Sequence, residues 1–392
     1  MKILEVCPYS AGICGVFTRV LEESKRLSKL DFEVKIFSSN AVKGSNKIAP
    51  SCEKIGKVEV FRFPFKKLGG ESFMSWDFEK EALEFEPEII IAHSYRHLHT
   101  IRALKVAEIL RRKGKKCKVF LVTHAPFERK LTRTFLQNLI VKFYDFFIGK
   151  KTINKFDKIF AITKWEIPYL IKLGVKKEKI EYIPNGISEI FFKQKKSKEE
   201  NKILFLGRIS SIKNLEILIS AMPLIKDKNI ILEIVGPAEE NYLKKLKLLI
   251  KSLKLESRII FFKPIYNLKE KIKKIDSCKI FVLPSKSEGM PQSLIEAMAR
   301  EKIVVASDIL ASRDLITAKT GNFSNNSSSG KSQIKDKENG FLFKNGNAKN
   351  LAEKINFALS EKNNEKIKKQ ARKSVENFSW NKVIKKIEKL IH

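Results

Sequence analysis

The sequence predicts an α/β protein of two doubly wound, Rossmann-like domains. The chain opens on a strand, a glycine turn, a helix and a second strand, which is how such a domain begins. The same rhythm starts again after a polar stretch at Lys193–Asn201 (KQKKSKEEN), read as a linker. The length of 392 residues suits two to three domains at about 150 residues each. With 43% hydrophobic and 31% charged residues, apolar side chains suffice for full cores.

Element by element, Lys2–Cys7 is a short apolar strand and Pro8–Gly15 a loop with two glycines. Val16–Leu30 carries Val16, Val20, Leu27 and Leu30 at helical spacing, and Asp31–Ser38 alternates as a strand. Strands follow at Glu88–Ala92, Lys118–Val122, Lys158–Ile162 and Tyr182–Pro184, with a helix at Ile101–Lys113. The second series has strands at Ile203–Leu206, Ile230–Val235, Ile259–Phe262, Lys279–Leu283 and Ile303–Ala306. Its helices are expected at Leu215–Met222, Glu239–Leu253, Gln292–Arg300, Ala348–Leu359 and in the last stretch to His392. Thr317–Lys335, rich in Ser, Asn, Gly and Lys, has the composition of a flexible surface insertion. Two such domains are expected to leave a cleft beyond the carboxyl ends of their strands, where ligands bind in open α/β sheets.

Composition narrows the function classes. The five cysteines are scattered with no C-x-x-C pair, which argues against a disulfide framework and a cysteine-rich zinc site. No apolar run approaches the roughly 20 residues that span a bilayer. Glu5 interrupts the first apolar stretch, so no signal peptide is expected; the reading is cytoplasmic, peripheral at the inner face of a membrane. The net charge of +34 fits an anionic substrate or membrane, nucleic acid, or compositional drift in a chain rich in Lys, Ile, Asn and Phe.

Two constellations carry chemistry. Ser287-Glu288-Gly289-Met290-Pro291 leads from a strand into a helix that contains Glu296, eight positions after Glu288. Carboxylates accept hydroxyl protons, and the free N–H groups of a helix start favour an anion, so the pair suits a polyol beside a phosphate. The strand Lys202–Leu206 ends in Gly207-Arg208, and Lys213 follows five residues later at the start of the next helix. Both cations lie after one strand, where they can face one anion, Arg208 bidentately and Lys213 as a point charge.

These residues resemble the donor-binding half of the retaining glycosyltransferases of family 4. The likeness rests on strand-Gly207-Arg208, Lys213, and Glu288-Gly289 with Glu296-Ala297-Met298-Ala299, in order. Pro184-Asn185-Gly186, Glu338-Asn339-Gly340 and Phe378-Ser379-Trp380 resemble further family segments. The resemblance implies a GT-B fold facing a central cleft: an acceptor-binding domain at 1–186, a nucleotide-sugar domain at 187–376 with the insertion 317–335, and a helix at 377–392 that crosses back to the first domain. It implies a retaining hexosyltransferase that uses a nucleoside-diphosphate sugar and a glycan, polysaccharide or lipid-linked acceptor, without cofactor or metal. Arg208 and Lys213 would hold the diphosphate, Glu296 the ribose, and Glu288 the hexose hydroxyls, with Gly289 and Met290 lending backbone N–H groups. Gly15 matches a glycine whose backbone approaches the donor phosphate; Cys14 and Phe17-Thr18 depart from the family's pattern around it. His124, after the strand Val119–Val122, matches a strand-end histidine next to the reaction centre, and His93 matches another position more loosely; His97 and His99 are assigned to the surface.

Lys130–Lys151 shows Leu131, Phe135, Leu136, Leu139, Ile140, Phe143 and Phe147 on one helical face, flanked by Lys130, Arg133, Lys142, Lys150 and Lys151. It is either a helix resting on an anionic membrane or a core-facing helix with a solvated basic side. The rival functions are a nucleotide-sugar 2-epimerase of the same fold and a basic nucleic-acid-binding protein. The spaced glutamates with Gly207-Arg208 and Lys213 argue against the first, and the absence of a nucleic-acid motif against the second.

Overall fold

The computed structural model describes residues 1–12, 14–67, 69, 71–127, 134–193, 197–316, 338–361 and 364–392. Two compact units divide them: Met1–Gly186 with Trp380–His392, and Ile187–Ser379. The second unit therefore runs three residues past the expected 376, and the helix expected from 377 starts at Trp380. The insertion 317–335 lies outside the described residues, as do Lys130, Leu131 and Arg133.

The first unit contains strands β1 (Lys2–Tyr9), β2 (Glu33–Ser39), β3 (Cys52–Ile55), β4 (Val58–Phe63), β5 (Phe65–Lys67), β6 (Met74–Trp76), β7 (Ile89–His93), β8 (Lys118–Val122), β9 (Lys158–Ala161) and β10 (Ile180–Tyr182). Eight of them form one sheet in the order β10-β9-β8-β7-β1-β2-β4-β3, parallel except for the edge strand β3. β5 and β6 pair separately. The chain winds from β1 outward to β2, then returns to lay β7 on the other side of β1, so the strand order reverses between β1 and β7. Helices are α1 (Gly15–Leu27), α2 (Glu79–Phe85), α3 (Leu98–Arg112), α4 (Phe135–Tyr144), α5 (Lys150–Ile153) and α6 (Ile167–Lys172). A π turn, Asp145–Gly149, joins α4 to α5. Strands β1, β7 and β8 are almost wholly buried, as parallel strands covered on both faces are. Val20 of α1 packs with Cys7, Ile36, Val58 and Val60.

The second unit has β11 (Lys202–Leu206), β12 (Ile231–Val235), β13 (Ile259–Phe262), β14 (Ile280–Leu283), β15 (Ile303–Ser307) and β16 (Phe341–Phe343). They form one parallel sheet in the order β13-β12-β11-β14-β15-β16, which reverses between β11 and β14. Its helices are α7 (Leu215–Ala221), α8 (Glu240–Ser252), α9 (Leu268–Ser277), α10 (Gln292–Ala299), α11 (Leu310–Ile316), α12 (Ala348–Ser360) and α13 (Asn364–Val375). The final helix, α14 (Trp380–Ile391), belongs to the first unit. It buries Trp380, Val383, Ile384, Ile387 and Ile391, one face at helical spacing, and packs against α1.

Two expectations need correction here. The supposed linker is integral to the second unit: Glu199 pairs with Lys302 at 2.8 Å and with Lys368 at 3.0 Å, and the Glu200 N–H donates to the Ser277 carbonyl. A polar run reads as a linker only while its charges lack partners. The helix at Phe135–Tyr144 is not core-facing, because none of its residues is buried.

Candidate active site

The reversal point of the second sheet collects the sequence-predicted cations and one carboxylate. Gly207-Arg208 leaves β11, and Ser285–Met290 leaves the neighbouring strand β14. Gly207 is pressed from the side by Gly236, where a Cβ would lie 1.9 Å from the Gly207 carbonyl oxygen and φ is +149°. Only glycine tolerates that approach, so the loop after β12 fixes the turn that carries Arg208. Arg208 is exposed and has no hydrogen-bond or ion-pair partner among the described residues. Lys213 does not open α7 directly. It ends a 3₁₀ turn, Ser211–Lys213, and Asn214 intervenes in the left-handed region. A backbone hydrogen bond from Lys286 N–H to the Ile212 carbonyl ties this turn to the loop after β14. Lys213 Nζ consequently donates to Glu288 Oε1 at 2.5 Å, and Ser285 Oγ donates to the same oxygen at 2.6 Å.

Glu296 lies apart from that pair. It is buried in α10 and is held by Lys271 of α9, whose Nζ donates to Oε1 at 2.6 Å and lies 2.5 Å from Oε2. Burial raises its pKa, and the Lys271 cation pulls the other way. Gly289 and Met290 sit in the half-buried turn just before α10. That helix has no side-chain cap, and the buried Gln292 Nε2 at its start has no hydrogen-bond partner. The structure thus joins Lys213 with Glu288, gives Glu296 a different cation, and leaves Arg208 open to an external anion.

In the first unit Gly15 is the first residue of α1, and a Cβ there would meet nothing within 4 Å, so the backbone is open to approach. His124 is the second residue after β8 and lines a cavity of about 560 Å³ with Ser94, Arg96, Ile140 and Tyr144 among others. Ser94, Arg96, His124 and Ala125 all have left-handed φ, between +48° and +80°. Such backbone is costly for residues other than glycine, and its concentration at one cavity is a mark of a functional site. Burial, reinforced by His93 and Arg19, pushes His124 well below its usual pKa, so the ring is neutral. Arg96 forms a two-pronged pair with Asp145, at 2.8 and 2.6 Å, which anchors the π turn after α4 beside the cavity.

His99 is not a surface residue. It is 1% exposed, stacks on Trp76 at 4.8 Å, and its Nε2 lies 2.6 Å from the His93 carbonyl oxygen, because the first turn of α3 closes over the end of β7. Sequence reasoning also missed Lys271, which nothing marks among 78 basic residues, and the full burial of Glu5, whose signal was present as a lone charge inside an apolar strand. Among the described residues, no group of three or more His, Cys, Asp or Glu side chains is arranged to hold a metal ion.

Comparison with known proteins places both units. The signature of Glycosyltransferase Family 4 matches residues 13–189, and that of Glycosyl transferases group 1 matches residues 186–326. An uncharacterised glycosyltransferase of Methanocaldococcus jannaschii is 27% identical, over 97% of this chain and 95% of its own. Sucrose-phosphate synthase of Thermosynechococcus elongatus superposes with a TM-score of 0.74 at 17% identity, covering 99% of this chain and 98% of the other. The Anabaena protein HepE in complex with UDP-glucose does so with a TM-score of 0.71 at 18% identity, covering 100% and 99%.

Proposed function

We propose that this chain, a glycosyltransferase with the GT-B fold, moves a hexose from a nucleoside-diphosphate sugar to an acceptor hydroxyl with retention of anomeric configuration. The observation that carries the reading is the arrangement at the second sheet's reversal point. Arg208, at the end of β11, has no partner among the described residues, and it stands beside a Lys213–Glu288 pair and the uncapped start of α10. That is a place for an anion bearing a sugar. Arg208 and Lys213 hold the diphosphate, Glu288 takes hexose hydroxyls, and Glu296, set by Lys271, accepts from the ribose. Gly289 and Met290 offer backbone N–H groups, and Gly15 admits the phosphate closely. The HepE complex with UDP-glucose supports a donor of this class.

As the glycosidic bond breaks, carbon takes on oxocarbenium character and the departing diphosphate gains charge. Preorganised cations at that diphosphate are then the main catalytic contribution. The first-unit cavity, with neutral His124 on its wall, takes the acceptor hydroxyl of a glycan, polysaccharide or lipid-linked substrate. Ile140 of α4 lines the same cavity, and the exposed apolar face of α4 rests on an anionic membrane from the cytoplasmic side.

The test is Arg208→Ala, Lys213→Ala and the double variant, assayed on a panel of UDP-, GDP- and ADP-sugars with glycan and lipid acceptors. Each single change should lower kcat about 100- to 1000-fold. The double change should be less than additive, since the two cations share one anion. A double variant with unchanged kcat and only a raised KM would reduce the two residues to ground-state anchors. Conversion of the nucleotide sugar with no acceptor consumed would make the enzyme an epimerase.

A further inference from the structure

His124 ends a line of buried polar groups. Its Nε2 lies 3.0 Å from His93 Nδ1, and His93 Nε2 lies 2.6 Å from Glu5 Oε2. Glu5 and His93 are fully buried, in the middle of β1 and at the end of β7, while His124 reaches the cavity. The line therefore runs across three adjacent strands from the core to the cavity wall.

The directions of its hydrogen bonds are coupled, because a neutral imidazole that donates from one nitrogen accepts at the other. With Glu5 ionised, His93 donates from Nε2 to Glu5 and His124 donates from Nε2 to His93. His124 Nδ1 is then an acceptor, and it has no partner among the described residues. With Glu5 protonated every link reverses, and His124 Nδ1 carries a hydrogen.

We propose that Glu5 is the store for the proton released by the acceptor hydroxyl, reached through His124 and His93. The inference rests on the first-unit cavity being the acceptor site. The acceptor O–H bond breaks as its oxygen bonds to the sugar carbon, and the sugar–phosphate bond breaks with its electron pair leaving on the diphosphate. The hydroxyl proton passes to His124 Nδ1, the His124 Nε2 proton to His93 Nδ1, and the His93 Nε2 proton to Glu5 Oε2. His124 would be the catalytic residue, and Glu5 and His93 would position it and hold the proton.

The surroundings of Glu5 favour this role. On α1, Arg19 is already engaged by Glu23 at 3.1 Å, by the Ile183 carbonyl at 3.1 Å and by Asn185 at 2.8 Å. Among the described residues Glu5 thus has no Lys or Arg partner of its own, and its buried Oε1 has no hydrogen-bond partner. Burial raises the Glu5 carboxyl well above its usual range, with Arg19 opposing. The other titratable groups packed around the line are Glu23 on α1, which burial and then Glu5 push up to about 7 against the pull of Arg19, His97 before α3, Cys7 on β1 and His99 on α3, whose Nε2 lies 2.6 Å from the His93 carbonyl oxygen; burial keeps that thiol and the His99 imidazole neutral. A carboxylate so placed takes up a proton readily, and a base works best when its pKa lies near the working pH.

Histidine ¹⁵N NMR on the wild-type protein tests the line without any assay of transfer. His93 and His124 should switch tautomer together in a single titration, with His124 in the Nε2–H form on the alkaline side, and Glu5→Gln should abolish the switch. In kinetics, kcat of the wild type should climb with pH through that same titration, since Glu5 must be ionised to receive the proton. Glu5→Gln should lower kcat by about 100-fold or more, leave both KM values within about twofold, and remove the climb. His93→Gln, which cuts the line at its middle link, should do the same and serves if Glu5→Gln does not fold. Full kcat in a folded Glu5→Gln protein would mean that the proton leaves with the diphosphate, and would overturn the proposal. So would a His124 that stays in the Nδ1–H form throughout. A wild type inactive on every donor and acceptor would count against the transferase reading alone, because the NMR titration decides the proton line separately.

Discussion

Lys271 shows how one uncounted side chain changes the meaning of another. The eight-residue spacing of Glu288 and Glu296 is legible in the sequence, and so is their placement around a helix start. Their partners are not, because a salt bridge between α9 and α10 depends on packing between segments 25 residues apart. Glu296→Ala should weaken nucleotide-sugar binding about ten- to a hundredfold, since a hydrogen bond to a charged group contributes about 1.5–3 kcal/mol. Lys271→Ala should act through pH. Without its cation, burial pushes the Glu296 carboxyl further up, so more of it is protonated at the acid end and it ionises as pH rises. Titration calorimetry should find this variant weaker than wild type at pH 6 and closer to it at pH 8. Equal deficits at both values would mean that Lys271 touches the donor itself.

At the scale of elements, strands were easier to read than coverage. β1, β7, β8, β11 and β14 stand out as apolar runs because both of their faces are buried. The edge strand β3, Cys-Glu-Lys-Ile, has almost nothing to bury and left no such signal. The amphipathic helix was legible as a helix, but periodicity does not say what lies against its apolar face. Among the described residues that face is bare: Phe135 is 87% exposed, and Phe143 and Phe146 are each 61% exposed. Thr134 and Gln137 close the start of α4 with reciprocal capping bonds, so the segment is built as a helix without core support. Phe143→Ala with Phe147→Ala should therefore keep the melting temperature while reducing sedimentation with anionic vesicles. Burial of two phenylalanine side chains is worth about 3 kcal/mol or more, which corresponds to roughly a hundredfold in partitioning. Equal sedimentation of both proteins would remove the membrane from the proposed function.

For the molecule as a whole, both the division near Gly186 and the membership of the last helix came only from resemblance, since the residues by themselves put the boundary at the polar stretch Lys193–Asn201. Within the first unit, Gly186 lies under the Trp380 ring, where a Cβ would come within 2.3 Å of Cδ2. Gly186→Ala should cost about 1–3 kcal/mol through overpacking, seen as a lower midpoint in urea, while the same change at Gly15, in open space, should cost less.

The apolar face of α14 also sets an order in time. α1 is complete early in synthesis, but the helix that covers it is translated only after all of Ile187–Ser379. At about 5–20 residues per second, roughly 20–70 seconds separate the two. Throughout that interval the nascent first unit lacks the side chains of Trp380 and Ile387, and the second unit can finish folding before the first. The chain thus matures out of sequence, and a holding chaperone on the ribosome would find its binding surface along α1.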